Sequence, residues 1–341
     1  MAGKRQHHIW QFIQRGFGEK RGKDHHIWVY EKGRPPRQTS TRKYGVEPFF
    51  FSEGDDNTAD DTITDFEISI QSHLQDLRTA DNETDIDPEF MAPFVTHLEL
   101  RSLFLREEMS SLGEKMLAGI QGIFEDERKA AKLMLSYMQS HPELIDEKFS
   151  EFGIEEEMIP VVKAYIDLQI PGLIKQQAAP LAEMARSFLT PLIREMPRIS
   201  KNAHLRSFGE GFSEIERTSQ HLKMNYKFCK SIDDILLPDT GLAFFKRKGL
   251  APFSQKDDDI VDLIIPLGSS SYIYGFSKDT TQRSTKTINS ALASCSYQSF
   301  IARNEAPSFH KLTNKIGKQA TLISDHEIEK IISLDNLLKN L

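Results

Sequence analysis

One arginine stands out in this 341-residue chain because it falls on the apolar face of a predicted helix. The face that carries Arg101 is otherwise apolar at helical spacing, with Phe94, Leu98 and Leu105. A guanidinium in such surroundings needs a carboxylate, a phosphate or water, since removing one partner of a buried ion pair costs about 3–5 kcal/mol. A helix glutamate such as Glu67 or Glu99 could supply the carboxylate. Arg101 is therefore a candidate either for oxyanion binding or for a structural ion pair.

Asp239 is the second candidate, because it ends an apolar segment and is followed by Thr240 and Gly241. A carboxylate at the end of a strand, beside a glycine turn, often holds a ligand or a catalytic group. Aspartate is equally common as a turn former. The sequence leaves both roles open.

The tetrapeptide HHIW occurs twice, at residues 7–10 and 25–28, and two histidine pairs suggest a metal site. In a hairpin that turns near residues 18–20, however, the two pairs would lie at opposite ends of the ladder. No CxxC or HExxH spacing is present to indicate zinc. We therefore assign no metal ligands, and the cofactor stays open, a divalent cation included.

The N-terminal arm is strongly basic although the whole chain has a net charge of -7. Residues 1–45 hold eleven Lys or Arg and three acids, and aromatic residues are interleaved with them. Such an arm can meet a phosphate backbone. The alternative is a solvated strand surface, neutralised by the acidic segment 53–67 that follows. The candidate nucleic-acid contacts are Lys4, Trp10, Arg15 and Trp28.

Compartment and membrane contact are predicted from what the sequence lacks. No secretory leader pattern opens the chain, and nowhere do about 18 apolar residues follow one another, the length that a membrane span needs. The two cysteines, Cys229 and Cys295, are expected to be buried free thiols. We expect a cytoplasmic protein without membrane contact.

Apolar periodicity and turn residues predict an α+β protein. It has a predominantly helical central block, an N-terminal β-hairpin and a small antiparallel or mixed C-terminal sheet. The hairpin pairs strands at 6–12 and 26–31, and the acidic segment 53–61 is a linker. Helices are predicted at 62–78, from Asp87-Pro88 onward, and at 124–139, 142–150, 155–168, 172–189 and 210–229. Five prolines between residues 160 and 197 predict breaks in this block.

We expect one domain over residues 1–341. Its parts are N-terminal strands (1–52), the helical block (62–230), C-terminal strands (231–303), and a tail with a C-terminal helix (304–341). The helix at 326–340 has an apolar stripe, which packs either on the body or on a partner, a second copy of the chain included.

The opening run HHIWQFIQRGF, residues 7–17, resembles the start of a bacterial family of unknown function, number four-two-three-eight. That family opens with a histidine, an apolar stretch with a proline, Gln-Phe, then Arg and Phe. The residues that fall in register are His7, Gln11, Phe12, Arg15 and Phe17, and Trp10 stands where the family has proline. Residues 27–32 and 44–50 are similar to later segments of the family, and Glu67 to its helix glutamate.

The resemblance continues through the C-terminal half. Residues 99–106 resemble an Arg-Ser/Thr-Pro helix motif, with Leu103 in place of the proline. Residues 237–241 look like a Ser-Asp-Asn-Pro segment in which only Asp239 matches. Residues 265–269 are similar to a Pro-Leu-Ser turn, and Asn289 stands at the position of a helix asparagine. The resemblance implies a partial fold and no established activity.

These observations lead to a hypothesis in which His7, Arg101, Asp239 and Asn289 meet in one site. His7 would be the general acid or base, because the pKa of histidine lies near neutrality. Arg101 would bind an oxyanion through both its N–H edges. Asp239 would orient His7 or hold a metal, and Asn289 would donate to the substrate.

Such a set suits cleavage of a phosphodiester, and no nucleophile motif, P-loop or dinucleotide fingerprint indicates a sharper class. The first hypothesis is a nuclease-like hydrolase of RNA or DNA, acting as a toxic or phage-defence effector. The alternative is a non-catalytic interaction or regulatory protein, in which the same polar residues hold strands to helices. The sequence leaves open whether the protein is an enzyme.

Overall fold

The structure is a computed structural model, and it describes residues 5–141, 143, 153–209, 212, 217–256, 258–277, 282–333 and 336. The chain clusters into two compact units. The first combines Met1–Glu107 with Lys201–Thr321, and the second combines Glu108–Ser200 with Leu322–Leu341. Helices and antiparallel sheets make it a mixed α+β protein, as predicted. The single domain over 1–341 stays a prediction.

The first hundred residues fold into short strands followed by two helices. In chain order they are β1 (Arg5–His7), α1 (Gln11–Arg15), β2 (Glu19–Arg21), β3 (Asp24–Glu31), β4 (Arg37–Ser40), β5 (Val46–Pro48), α2 (Thr58–Leu77), β6 (Thr84–Ile86) and α3 (Pro88–Arg101). The start of α3 is the one predicted. Asp87 accepts a hydrogen bond from the N–H of Glu89, and Pro88 occupies the first turn.

The predicted N-terminal hairpin is wrong in its first strand. β1 ends at His7 and pairs with β5, whereas the strand that pairs with β3 across a tight turn is β2. Residues 11–15 are helical because Phe12 and Ile13, adjacent in sequence, are both buried, which a strand exposed on one face cannot achieve. The acidic linker is also shorter than predicted, because α2 begins at Thr58 and carries Asp60 and Asp61 in its first turn.

The helical block contains α4 (Leu103–Glu125), α5 (Glu127–Ser140), a 3₁₀ turn (Glu156–Met158), α6 (Ile159–Arg206) and α7 (Thr218–His221). The five prolines do not end α6, so the predicted breaks are wrong. Pro160 lies in the first turn, where the missing N–H costs no bond, and the other four leave the flanking turns helical. The predicted helix 142–150 lies outside the described residues, apart from residue 143.

The C-terminal strands do not form the predicted separate small sheet but pair with strands from the N-terminal part of the chain. The elements are β7 (Asn225–Lys230), β8 (Leu237–Pro238), β9 (Ala243–Lys246), β10 (Gly249–Ala251), β11 (Ile260–Gly268), β12 (Ser271–Phe276), α8 (Thr285–Cys295), β13 (Ser299–Ala302), α9 (Pro307–Leu312), a 3₁₀ turn (Thr313–Lys315) and α10 (Asp325–Ile331). One sheet has the order β10-β9-β11-β12-β7-β6, and β8 and β13 join β3 in a second sheet. The predicted helix at 210–229 is wrong in its last part, since Tyr226 and Phe228 are buried on either side of the more exposed Lys227 in strand β7.

The six-stranded sheet is buried on both faces. Along β11, Leu263 and Ile265 enter one apolar cluster with α1 and α3, and Ile264 enters another cluster with α8. Side chains of a strand point alternately to the two faces, so a continuous apolar run is what such a strand needs. This sheet is the rigid base against which α1 and α3 are held.

The second unit contains the C-terminal helix. Ile328 and Ile332 are buried, and Ile332 contacts Gly119 of α4 so closely that a side chain at residue 119 would collide with it. Part of the predicted apolar stripe therefore packs on α4. Ile331, also part of that predicted stripe, is exposed, and its last two members, Leu334 and Leu338, lie outside the described residues. No helix among the residues described is long and apolar enough to cross a lipid bilayer.

Candidate functional site

An open, polar cavity of about 290 Å³ lies in the first unit, at the outer side of β1, α1 and α2. We call it the His7 cavity. Its lining includes His7 at the end of β1, Arg15 at the end of α1, Asp60 and Glu67 of α2, and Arg101 in the last turn of α3. Two of the four predicted catalytic residues, His7 and Arg101, are thus brought together.

Arg101 joins three elements at the base of this cavity. Its Nη1 atom donates to the Glu67 carboxylate, and its Nη2 atom donates to the backbone carbonyl of His7. Its side chain is buried, and the guanidinium lies 5.2 Å from the centre of the Phe51 ring. Glu67 is one of the two carboxylate partners that the sequence suggested. The pair fixes the positions of both β1 and α2 relative to the end of α3.

The ring of His7 has a defined orientation. Its Nε2 atom lies 3.1 Å from the carbonyl oxygen of Thr41, and a carbonyl only accepts, so Nε2 carries the hydrogen and Nδ1 carries the lone pair. Burial lowers the pKa of His7 below the 6.5 usual for histidine, the hydrogen bond to Thr41 opposes this, and the charge of Arg101 reinforces it. At neutral pH the ring is a neutral base.

The pKa of a carboxyl group in the same cavity is shifted in the opposite direction. Burial raises the pKa of Asp60 above its ordinary 3.8, and the neighbouring Asp61 adds to the rise. A base with a lowered pKa and an acid with a raised pKa in one cavity are the arrangement that general acid–base catalysis needs.

Glu67 also has a second neighbour behind the cavity. The Nε2 atom of the fully buried His97 lies 3.4 Å from Glu67 Oε1, a distance at the long limit of a hydrogen bond. The ring of His97 is surrounded by the aromatic side chains of Trp10, Phe66 and Phe212. Burial lowers its pKa, so the ring is neutral and adds no charge to the Glu67–Arg101 pair.

The other two arginines of the cavity form fewer hydrogen bonds within the protein than Arg101 does. Arg15 donates to Gln11 Oε1 at 2.9 Å, and Arg5 donates to the carbonyl oxygen of Arg42 at 3.4 Å. Within the part of the chain that the structure describes, neither has a carboxylate partner. Both side chains are exposed, so they can reach an anion that enters the cavity.

Asp239 and Asn289 do not line the His7 cavity. The carboxylate of Asp239 accepts hydrogen bonds from three consecutive backbone N–H groups, those of Tyr297, Gln298 and Ser299, at 2.7–2.8 Å. The carbonyl of Thr41, not Asp239, orients His7. Burial raises the pKa of Asp239 to about 6 against the pull of these donors.

Asn289 links α8 to the segment before β8. Its Oδ1 atom accepts from the N–H of Leu236 at 3.0 Å, and its Nδ2 atom donates to the carbonyl of Asp234 at 2.8 Å. Both ends of the amide are therefore used by the backbone. The geometry gives Asp239 and Asn289 structural bonds, and the four predicted residues do not form one cluster.

The candidate nucleic-acid contacts have different environments. Arg15 is exposed at the rim of the cavity, and Trp28 is half-buried in β3. Trp10 is only 6% exposed and packs edge-on against Phe94, so its ring is not free to stack on a base, contrary to the prediction. Trp10 is part of the core, although the arm around it is basic, because α1 needs an apolar face. Lys4 lies outside the described residues.

The two histidine pairs do not form a shared site. His8 is half-buried and its pKa is lowered to about 3 by desolvation and by the charge of Arg101, whereas His25 lies at the start of β3. In the described ranges, no group of three or more His, Cys, Asp or Glu side chains is placed to hold a metal ion.

Sequence reasoning missed Arg5, Asp60 and Gln71 as cavity residues. A signal for two of them was present. Asp60, Glu67 and Gln71 are separated by seven and four residues, a spacing that puts all three on one face of a helix. The signal was lost because residues 53–61 read as a linker, which hid the first turn of α2.

No family model matches the chain, and neither the curated proteins nor the solved structures contain a match. The resemblance of the opening segment to an uncharacterised bacterial family therefore stays a prediction.

Proposed function

We propose that the protein is a hydrolase that cleaves phosphodiester bonds of RNA or DNA in the His7 cavity. The observation that carries the proposal is the neutral imidazole of His7, held in one tautomer by Thr41 and placed beside the buried guanidinium of Arg101. A base of fixed orientation next to a fixed cation is what in-line attack on a phosphate requires.

The reaction balances with the groups that line the cavity. His7 Nδ1 takes the proton of the attacking hydroxyl, which is a water molecule or, in RNA, the 2′-hydroxyl. The new oxygen–phosphorus bond forms as the bond to the leaving oxygen breaks, and Asp60 gives that oxygen its proton. Arg5 and Arg15 neutralise the phosphate oxygens. A water nucleophile yields a phosphomonoester and an alcohol, and a 2′-hydroxyl yields a cyclic phosphate and a 5′-hydroxyl.

The second candidate is a non-catalytic interaction protein, and a specific observation favours it too. Arg101 already binds Glu67 and the His7 carbonyl, and Asp239 and Asn289 are fully used by backbone groups. The ring of His7 bonds to Thr41, so all four residues have a structural role without any substrate. The distinction depends on whether His7 contributes to a reaction.

The test is cleavage of fluorescent RNA and DNA oligonucleotides by the wild type, His7→Gln and Asp60→Asn, each with divalent cations and with a chelator. Glutamine keeps a donor for Thr41 but has no basic nitrogen. We expect His7→Gln to lose about 10²–10⁴-fold in rate, the usual contribution of general acid–base catalysis.

A matched control is His310→Gln, which makes the same chemical change at an exposed histidine of α9. This variant should cleave as the wild type does. If the wild type cleaves neither nucleic acid under any condition, or if His7→Gln cleaves at the wild-type rate, the hydrolase proposal fails and the interaction protein is the better account.

A further inference from the structure

We infer that a second, adjoining cavity holds the backbone of the same strand, so that the substrate is a single-stranded polynucleotide and not a nucleotide. The inference rests on the proposed function and names its substrate class. It is carried by the position, charge and size of the two cavities.

The second cavity has a volume of about 420 Å³ and shares Gln11 and Arg15 with the His7 cavity. We call it the Lys20 cavity. Thr41, whose carbonyl orients His7, is also part of its lining. The two cavities therefore adjoin along α1, and a chain that places one phosphate beside His7 can continue past Arg15 into the second cavity.

The Lys20 cavity is basic, with Arg15, Lys20, Lys23 and Arg42 in its lining. Asp24 pairs with Arg42 at 2.8 Å, which leaves the other three cations without a carboxylate among the described residues. Burial and the charges of Arg15 and Lys20 lower the pKa of His25, which shows how closely the cations are gathered. A chain with a net charge of -7 concentrates positive charge here, and a polyanion gains more from such a surface than a single phosphate does.

The hairpin of β2 and β3 contributes two cations to the cavity, Lys20 from β2 and Lys23 from the turn. Lys20 lies opposite His25 in the register and both line the cavity, whereas Arg21 and Glu19 are not in the lining and form an ion pair with each other at 2.7 Å. The tight turn is possible because Gly22 has a φ of 62°, a conformation that favours glycine.

The size of the His7 cavity favours a single strand as the substrate. Its volume of about 290 Å³ is just below the roughly 300–1,000 Å³ found for small-molecule sites. It accommodates one nucleotide-sized group, so a base that enters it has to be unpaired.

The experiment measures binding directly, by fluorescence anisotropy of the full chain carrying His7→Gln, so that bound strands stay intact. The probes are single-stranded RNA and DNA 12-mers, the DNA duplex of the same sequence, and a dinucleotide. Each is titrated at several salt concentrations. The variant Lys20→Ala/Lys23→Ala is compared with Lys311→Ala/Lys318→Ala, an equal charge change at exposed residues that line neither cavity.

We expect both single strands to bind more tightly than the duplex and the dinucleotide. Each phosphate contact to a single strand contributes roughly 0.7 to the slope of log affinity against log salt, so loss of two contacts should reduce that slope by about 1.4. The control variant should keep the wild-type slope. Because the phosphate backbone is the shared feature, RNA and DNA should show the same reduction.

An unchanged slope in Lys20→Ala/Lys23→Ala, or equal affinity for the duplex or the dinucleotide, overturns the inference. These outcomes are separate from the proposed function. If strands bind with the expected slopes and the wild type never cleaves them, the hydrolase proposal falls and the strand-binding surface stands. If the wild type cleaves and the slopes do not change, the reverse holds.

Discussion

Removing the carboxylate of Glu67 should destabilise the first unit, because it leaves the guanidinium of Arg101 buried without a counter-charge. The side chain of Arg101 is 6% exposed and that of Glu67 is 16% exposed. Breaking a buried pair costs about 3–5 kcal/mol, and the open cavity beside it admits water, so we expect Glu67→Leu to cost about 3 kcal/mol. For a domain of this size that is about 6–12 °C in Tm.

The assay is urea unfolding followed by tryptophan fluorescence. The protein has two tryptophans, Trp10 and Trp28, and both lie in the first unit, so the signal reports that unit. The double variant Glu67→Leu/Arg101→Met removes both charges and should be more stable than Glu67→Leu. The single variant Arg101→Met completes the cycle, and the cost of the double variant minus the summed costs of the two single variants gives the coupling between the two side chains.

An exposed pair in the same unit provides the control. Arg247 and Asp259 are 70% and 59% exposed, and Asp259→Ala should cost less than about 1 kcal/mol. If Glu67→Leu costs no more than Asp259→Ala, Arg101 does not depend on this carboxylate. The description of Arg101 as a buried, paired anchor of the cavity would then be refuted.

Three further predictions concern pH and the buried acids. The cleavage rate should rise with pH where His7 loses its proton, and it should fall where Asp60 loses the proton that it gives to the leaving oxygen. A rate–pH profile of Asp60→Asn should lack the falling limb. Asp239→Ala should destabilise the fold by about 3 kcal/mol or more, because it leaves three backbone N–H groups without acceptors. Chemical denaturation measures this cost, and a value below about 1 kcal/mol would contradict the structural role. Burial alone would raise the pKa of Glu99, but its bond with His221 brings the pKa below the ordinary 4.5, so the stability it adds is present above pH 4.5 and is lost as pH falls through the lowered pKa. In Glu99→Gln this acid-side loss of stability should be smaller, as unfolding at a series of pH values will show, and an unchanged profile would count against the assignment.

The elements that sequence reasoning placed correctly are those whose signals are local. Asp87 and Pro88 mark the start of α3 through capping chemistry that needs no distant contact. The apolar run of β11 is similarly self-contained, and it falls within residues 231–303, where C-terminal strands were predicted. Where a segment carries its own pattern, the pattern was enough.

The errors lie where tertiary packing decides between patterns. The stretch from His7 onward alternates like a strand, but residues 11–15 are helical because both Phe12 and Ile13 are buried in the core beside the six-stranded sheet. The pairing of β13 with β3 joins distant residues such as Phe300 and Tyr30, 270 positions apart, which no local signal records. The prolines of α6 are strong local signals that the helix overrides.

The sequence predicted only part of the site, because the rest of it also depends on tertiary packing. Arg101 stood out because a charge on an apolar face is a local contradiction, and its partner Glu67 was among the carboxylates considered. Asp239 had an equally clear pattern, but the choice between a turn and a catalytic role depends on which N–H groups lie opposite it. Only the fold shows that the N–H groups of residues 297–299 lie there, which gives Asp239 its structural role.

The central claim is that His7 acts as a base on a phosphodiester held beside Arg101. Its most direct test is the single-turnover rate of oligonucleotide cleavage by wild type and His7→Gln, at protein concentrations that saturate binding. We predict a rate about 10²–10⁴-fold lower in the variant with unchanged strand affinity. Equal single-turnover rates would contradict the claim.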